Sequence, residues 1–343
     1  MHYDLTERER RVLEAVVQSY IQTAEPAGSR TIAKAFPLGV SAATIRNTMS
    51  DLEERGYLSH PHTSAGRVPT DLAYRVYVDA LIWDRSISRE EQDTLRRELA
   101  GSRTAIEDIL RKAAQVLGLL TQELGVAVAP TLDSGVLERL ELVQVASERL
   151  LLVLVLRGGA ARTIFVEVAS QLPRDVVAGV SAVLNERLSG LTVQEIRRTL
   201  RERLRDTASG TPAQELLNVF IEEAEQIFVP SPAGEDVVLG SAQPLVEQPE
   251  FHSNEQMRAL LDLTERRDIL RRALTSRRKP GLSVTIGAEN LDPKLNQFTI
   301  VTSTYHSGGL SGVIGVIGPT RMPYQKVIAL VEYTSQLMGN LVQ

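Results

Sequence analysis

Apolar residues at the start of the chain recur at helical spacing in three blocks, after which the pattern shortens to alternation around a polar tip. In the first block, Leu5 to Ile21, the positions Val12, Leu13, Val16, Val17 and Tyr20 share one helix face, and Thr6 with Glu9 makes a capping-box start. Pro26 and Gly28 close that region. Ser29 is expected to cap a short helix from Arg30 to Ala35, which stops before Pro37. After a turn at Gly39 and Val40, Ser41 caps a third helix, Ala42 to Arg55, ended by Gly56. Ile45, Met49 and Leu52 form its core face. Ala43, Asn47, Ser50 and Glu54 form the opposite face, with Thr44 and Arg46 on its flanks. Tyr57 and Leu58 begin a strand, His60 to Arg67 makes a glycine-bearing tip, Val68 opens the return, and Thr70 caps a helix through Trp83.

Residues 84–89 read as a linker. Ser88 and Glu91 cap a helix from Arg89 to Ala100, broken by Gly101 and Ser102. The next helix, Arg103 to Leu124, carries Ile106, Leu110, Ala113, Leu117, Leu120 and Leu124 at coiled-coil spacing, which fits a dimer seam and a helix packed on its own sheet equally well. Strands are predicted at Val126–Ala129, Leu137–Val145, Leu150–Leu156 and Thr163–Val168, with a turn at Gly158 and Gly159. Leu151 to Leu156 is apolar throughout and reads as buried on both faces. From Pro173 to Phe228 the pattern is helical, with starts at Thr192 and at Thr211-Pro212. Val229 to Phe251 is Pro-rich around a short strand, Val237–Leu239. Ser253 caps a long helix to Ser276. Strands return at Leu282–Ile286, Phe298–Thr304 and Val313–Ile317, before a last helix from Pro323 to Val342. Strand-rich stretches flanking a helical one predict an α+β domain with an insertion at 171–252.

The N-terminal order of helix, short helix, turn, longer helix and hairpin is that of a winged helix-turn-helix. A helix fits the major groove of DNA, and the small residues Ser41, Ala42 and Ala43 permit close approach. Charge placement agrees. Residues 26–50 hold Arg30, Lys34 and Arg46 with no acid, and residues 56–70 hold His60, His62 and Arg67 with no acid. The whole chain, however, carries a net charge of −5, so any DNA binding comes from a local patch rather than bulk attraction. The chain has 343 residues, 43% of them hydrophobic, which suits two or three globular domains. It has no cysteine, which excludes disulfides and thiolate sites and is compatible with the expected cytoplasmic location. The N-terminus is charged rather than signal-like. His60 and His62 read as phosphate-facing or solvated, not as metal ligands. The run Gly312, Gly315, Gly318 matches no phosphate loop and reads as a tightly packed strand and turn. Arg277, Arg278 and Lys279 read as solvated surface. No convergent polar set points to catalysis, so an enzyme, a cofactor and a metal are not expected.

Several segments taken together resemble one known family. They are Leu5-Thr6-Glu7-Arg8, Pro26 to Ala33, Ser41 to Asn47, Leu52 to Leu58, His62 to Thr70, and Gly315 to Tyr324. The chain resembles the HrcA family of bacterial heat-inducible transcription repressors along its whole length. The resemblance implies an α+β multidomain protein with a winged helix-turn-helix at 1–88, a GAF-like domain from 89–170 and 253–343, and an inserted, mainly helical dimerisation domain at 171–252. It implies a homodimer on double-stranded DNA, at the CIRCE inverted repeat upstream of chaperone operons, under control of a GroEL-type chaperonin. By motif, the DNA-contacting candidates are Ser41, Ala43, Thr44, Arg46 and Asn47 in the helix and His62, Thr63, Ser64 and Arg67 in the wing. Arg30 joins them from its place in the basic patch. The alternative is a ligand-sensing GAF-type regulator with an accessory helix-turn-helix.

Overall fold

A computed structural model describes residues 4–61, 66–80, 87–100, 106–130, 135–157, 161–168, 171–205, 212–222, 237–275, 281–307 and 310–341. The chain is α+β and divides into two units. The first comprises residues 1–128, 237–304 and 313–336; the second comprises 129–236, 305–312 and 337–343.

The first unit opens with α1 (Glu7–Thr23), α2 (Ser29–Ala35), α3 (Ala42–Glu54), the short strands β1 (Leu58–Ser59) and β2 (Val68–Pro69), and α4 (Asp71–Ala80). Thr6 caps α1 with its side-chain oxygen on the Glu9 amide, while the Glu9 carboxylate returns to the Thr6 amide at 2.7 Å. Gly28, not Ser29, sits at the N-cap of α2, and it supplies no side-chain cap. The apolar stripes Val12, Leu13, Val16 and Val17 of α1 and Ile45, Met49 and Leu52 of α3 are buried. Two helices of this length cannot hold together alone in water, and this shared core is what stabilises them.

The rest of the first unit is built on a five-stranded sheet. β3 (Leu124–Val128), β7 (Val237–Leu239), β8 (Leu282–Ile286), β9 (Phe298–Ser307) and β10 (Leu310–Pro319) lie in the order β7-β3-β10-β9-β8. One face carries Val126, Phe298, Ile300, Val313 and Ile317 against Leu260, Leu263, Ile269, Leu270 and Leu274 of two helices. These helices are α11 (Asn254–Glu265) and α12 (Arg267–Thr275), which follow the single-turn helix α10 (Gln243–Val246). The single long helix expected from Ser253 is thus broken at Arg266, which leaves helical geometry at ψ 69°. On the other face, Ser303 bonds Ser335 at 2.9 Å and Thr299 bonds Tyr324 at 3.2 Å, both partners lying on the C-terminal helix α13 (Tyr324–Leu341). Helix α5 (Arg89–Ala100) packs beside α13, with Glu91 on Lys326 at 3.0 Å. Gly315 lies in β10 where a Cβ would come within 2.1 Å of the Val301 carbonyl, so the glycine run serves strand packing.

Helix α6 (Ile106–Thr121) settles the two readings of its apolar stripe. Leu110, Ala113 and Leu117 are fully buried within the chain, so the stripe faces the protein's own core. The helix ends earlier than expected, because Gln122 turns into the left-handed region at φ 61° and Leu124 begins β3.

The second unit contains β4 (Leu137–Ala146), β5 (Arg149–Leu156) and β6 (Ala161–Glu167), which pair antiparallel with one another in a separate three-stranded sheet. Helices α7 (Arg174–Leu188), α8 (Val193–Arg203) and α9 (Pro212–Glu222) share its core, through Val180, Leu184, Ile196, Leu200 and Phe220. This moves the expected insertion. Strands predicted to belong to the larger domain before 171 lie in the second unit. The Val237–Leu239 strand, expected inside the insertion, pairs instead with β3 in the larger sheet. The main segment of the second unit runs from 129 to 236. β5 also differs from expectation: Leu150, Leu152, Leu154 and Leu156 are buried, while Leu151, Val153 and Val155 are half-exposed, so only one face is covered. The turns expected at Gly101-Ser102 and Gly158-Gly159, the linker around 84–86 and the Arg277-Lys279 cluster lie outside the described residues.

Just before β3, Glu123 is 1% exposed, and its carboxylate accepts from the Gln248 amide at 3.4 Å. Burial holds its pKa well above the ordinary 4.5. A carboxyl whose folded pKa is raised contributes fully below 4.5 and loses that contribution as pH rises through the raised value. Glu123→Gln removes this loss. The variant should match the wild type at about pH 4 and exceed it at about pH 8, the gap opening by up to about 1.4 kcal/mol per pH unit. Urea unfolding at the two pH values measures it; equal pH dependence in both proteins refutes the assignment.

Candidate nucleic-acid interface

The candidate surface is formed by α2, α3 and the β1–β2 ribbon. Ser41 fixes the start of α3, its Oγ accepting from the Thr44 amide at 3.1 Å and lying 2.9 Å from the Thr44 hydroxyl. These two candidate side chains are thus engaged in capping, and Thr44 is half-buried. Burial of Ile45, Thr48, Met49 and Leu52 turns the opposite side of α3 to solvent. Ala43, Arg46 and Asn47 are exposed on that side, and so is Arg30 on α2. Glu53 is engaged elsewhere, and Arg46 forms no ion pair among the described residues.

Arg67 is the candidate whose position differs most from expectation. A guanidinium aimed at phosphate should point outward, but this side chain is 18% exposed and its Nη2 lies 2.7 Å from Glu53 Oε2. Its Nη1 also meets His60 Nε2, and His60 Nδ1 meets the other Glu53 oxygen. The three side chains close a ring between the end of α3 and the two strands of the ribbon. The backbone adds a second tie: Arg67 and Ala27 exchange both amide hydrogen bonds, at 2.9 and 2.8 Å. Ala27 lies between α1 and α2, so the ribbon is held against the helices at its base. Gly66 makes this approach possible, since a Cβ there would fall 2.5 Å from the Ala27 carbonyl. Thr70 completes the closure, donating to the carbonyls of Gly56 and Tyr57 at 2.8 and 3.0 Å. The other wing candidates, His62, Thr63 and Ser64, lie outside the described residues.

The sequence reading missed Glu53 and Ala27 as partners of Arg67. The signal was weak but present, because Glu53 is an acid one turn before a basic, histidine-bearing hairpin. Gly66 beside Arg67 marked a close backbone approach.

Elsewhere in the first unit, a cavity of about 570 Å³ is lined by Ile269, Ala273, Thr285, Glu289, Leu291 and Asp292, among others. Its polar walls are committed: Thr285 donates to Asn290 at 2.7 Å, Glu289 receives Arg75 at 2.7 Å, and Asp292 caps the Lys294 amide at 3.0 Å. Among the described residues no cluster of three acids or histidines is placed to hold a metal ion, and no helix is long and apolar enough to cross a membrane.

The family described as HrcA protein C terminal domain matches residues 107–328. The chain is also 40% identical, over 351 residues, to the heat-inducible transcription repressor HrcA of Chlorobium phaeobacteroides strain BS1, with 99% of each chain covered. The chain belongs to the HrcA family. A more distant HrcA repressor, from Carboxydothermus hydrogenoformans, is 38% identical over 340 residues, covering 98% of each chain. Among solved structures, one titled as a hypothetical protein at 2.2 Å resolution superposes with a TM-score of 0.60 at 22% identity, covering 99% of both chains, and shows the same fold. Membership of the HrcA family makes this chain a heat-inducible transcription repressor.

Within an HrcA-family head, the Glu53–Arg67 pair is expected to hold the ribbon in place. Glu53→Gln should lower stability by about 1–2 kcal/mol, between the values typical of exposed and buried pairs. It should also speed hydrogen exchange at the Ala27 and Arg67 amides while leaving the α1 interior protected. Unchanged exchange at both amides would show that the backbone pair stands without the ionic ring.

Proposed function

We propose that the N-terminal helices and ribbon form a winged helix-turn-helix, and that the chain represses chaperone operons by binding the CIRCE inverted repeat as a homodimer. In this reading α3 enters the major groove. Arg46 meets a base edge or the adjacent phosphate, Asn47 meets an adenine edge, and Ala43 allows the close approach. Arg30 and the wing residues His62, Thr63 and Ser64 are assigned to contacts with the DNA backbone. Arg67 serves the wing indirectly, by holding it. The remaining sheet domain is read as GAF-like, and the site of action as the cytoplasm. A GroEL-type chaperonin keeps the repressor competent, and heat relieves repression when misfolded chains compete for that chaperonin.

The observation that carries this reading is the solvent side of α3. Ala43, Arg46 and Asn47 are exposed together there, and among the described residues neither polar side chain is held by an intramolecular bond. A long exposed guanidinium at a helix start is otherwise a cost in side-chain freedom to any partner, so a ligand that recovers it must offer a matched acceptor. Arg46→Ala is expected to weaken operator binding by about 1–3 kcal/mol with the far-UV circular dichroism unchanged. Fluorescence anisotropy on operator and scrambled duplexes checks it. Equal affinity of variant and wild type for the operator sinks the groove assignment.

Dimerisation is supported by the outer face of the three-stranded sheet. Val143, Leu151 and Phe165 stand in register across β4, β5 and β6. Val143, Val145 and Phe165 are 45%, 49% and 62% exposed. An apolar face of this kind suits a subunit contact. Because the α6 stripe is buried within the chain, this face replaces it as the candidate seam. Val143→Asp with Phe165→Asp should convert a dimer to a monomer by light scattering at micromolar concentration. A double variant that remains dimeric places the contact elsewhere.

A further inference from the structure

The DNA-reading head is fastened to the sheet domain by charged groups that no DNA contact requires. On α4, Asp71 accepts from the Ala288 amide at 3.0 Å. One turn later Arg75 grips the β8 end at several points. Its Nε donates to Glu289 Oε1 at 2.7 Å, its Nη2 donates to the Val284 carbonyl at 2.7 Å, and Nη2 also meets the second Glu289 oxygen. Glu289 is itself fixed, since it accepts from the Ile286 amide at 2.9 Å. The second fastening lies at α1. Arg321, just before α13, donates from Nη1 to the Ile21 carbonyl at 2.9 Å and forms a forked pair with Glu250, Nη2 to Oε2 at 2.9 Å. Ile21 lies in the last turn of α1, where carbonyls lack helical partners, so a guanidinium there satisfies an orphan acceptor. Between the two fastenings, the rings of Tyr74 and Tyr324 meet with centroids 5.8 Å apart, both buried.

We propose that the Arg75–Glu289 and Arg321–Glu250 latches set the orientation of the reading head, and that these four side chains are positioning residues for recognition of an inverted repeat. The proposal rests on the DNA-binding reading above. Planar, two-pronged arginine–carboxylate pairs suit this task, because they fix angle as well as distance. The Arg75–Glu289 pair joins α4 to the sheet domain. The Arg321–Glu250 pair lies within the sheet domain and fixes the guanidinium that bonds the Ile21 carbonyl of α1. With the Tyr74–Tyr324 contact between these two points, rotation about either one is removed. A fixed head makes the second half-site contact intramolecular at one spacing, whereas a head free on its linker spreads that effective concentration over many spacings.

The test uses the full chain with Arg75→Met and Arg321→Met, singly and together. Affinity is measured for one half-site and for inverted repeats whose spacer is the natural one or is altered by a few base pairs. The expected result is half-site affinity within about twofold of wild type, a loss of about tenfold or more on the natural repeat, and a flattened spacing preference. Arg75→Lys and Arg321→Lys should restore part of that preference by restoring the charge. A second readout needs no DNA. The chain has no cysteine, so Lys34→Cys with Leu291→Cys accepts two spin labels. Their distance distribution should be narrow in the otherwise native chain and broad in the double methionine variant. If the variants keep the wild-type spacing preference and a narrow distribution, the latches do not set orientation. If half-site and repeat affinities fall together, the arginines maintain the head's own fold, and the proposal fails. If the native chain binds no inverted repeat at all yet the spin-label distances respond, the DNA reading fails and the mechanical role alone stands.

Discussion

The first unit depends on a sheet covered on both faces. α11 and α12 lie on one side and α13 on the other, so whatever else the chain carries must leave from strand ends and edges. The insertion shows how this works. β3 ends and β7 begins at residues that face each other in register, Val128 and Val237. Residues 129–236 therefore leave and return at what would otherwise be the ends of a tight hairpin. Loop closure costs little more for a long connection than for a short one, so a folded module can occupy that hairpin without prising the sheet apart. The head attaches by the same logic, at the β8 end through Glu289 and at the approach to α13 through Arg321.

Within the head, arginines divide by environment. Arg67 and Arg55 pair with acids of the head, Glu53 and Glu9. Arg46 and Arg30 face outward. The local sequence is similarly basic around both sets, so charge counting alone cannot separate them. What separates them is reach. Arg67 lies at the foot of a ribbon that must close on α3, and the acid it meets is fixed by the helix period. Arg46 lies exposed on the flank of α3, and among the described residues it forms no ion pair.

How far the sequence could be read follows from the range of each interaction. Helix starts were legible where the cap is local: Thr6 with Glu9, Ser41 with Thr44, and Thr192 with Glu195 each act within one turn. Strand positions were legible too, because period-two alternation and β-branched residues are also local. Strand partners were not. The Val237–Leu239 strand and the strands at 137–167 were assigned to the wrong sides of the insertion boundary, since nothing in alternation says whether β3 pairs with β4 or with a strand more than a hundred residues on. On the candidate surface, the exposed side of α3 was legible from its period. The inward turn of Arg67 was not, because it depends on Gly66 letting the ribbon meet Ala27, a contact across two loops.

A net-acidic repressor faces a constraint that the docked head answers. With a charge of −5, long-range attraction contributes little to DNA affinity, and the local basic patch offers a few phosphate contacts at most. In the proposed dimer, affinity then comes from specific groove contacts made twice. The gain from the second contact is large only if the two heads are presented at the right separation and angle, since effective concentration falls steeply when geometry is wrong. A head on a free linker meets this poorly. A head held by Arg75, Arg321 and the Tyr74–Tyr324 contact meets it well. The same attachment makes the head sensitive to the sheet domain: a shift of β8 or of the segment around Arg321 would be carried to α4 and α1 directly. Low charge and rigid docking thus belong together, since the first removes the attraction that would tolerate loose geometry.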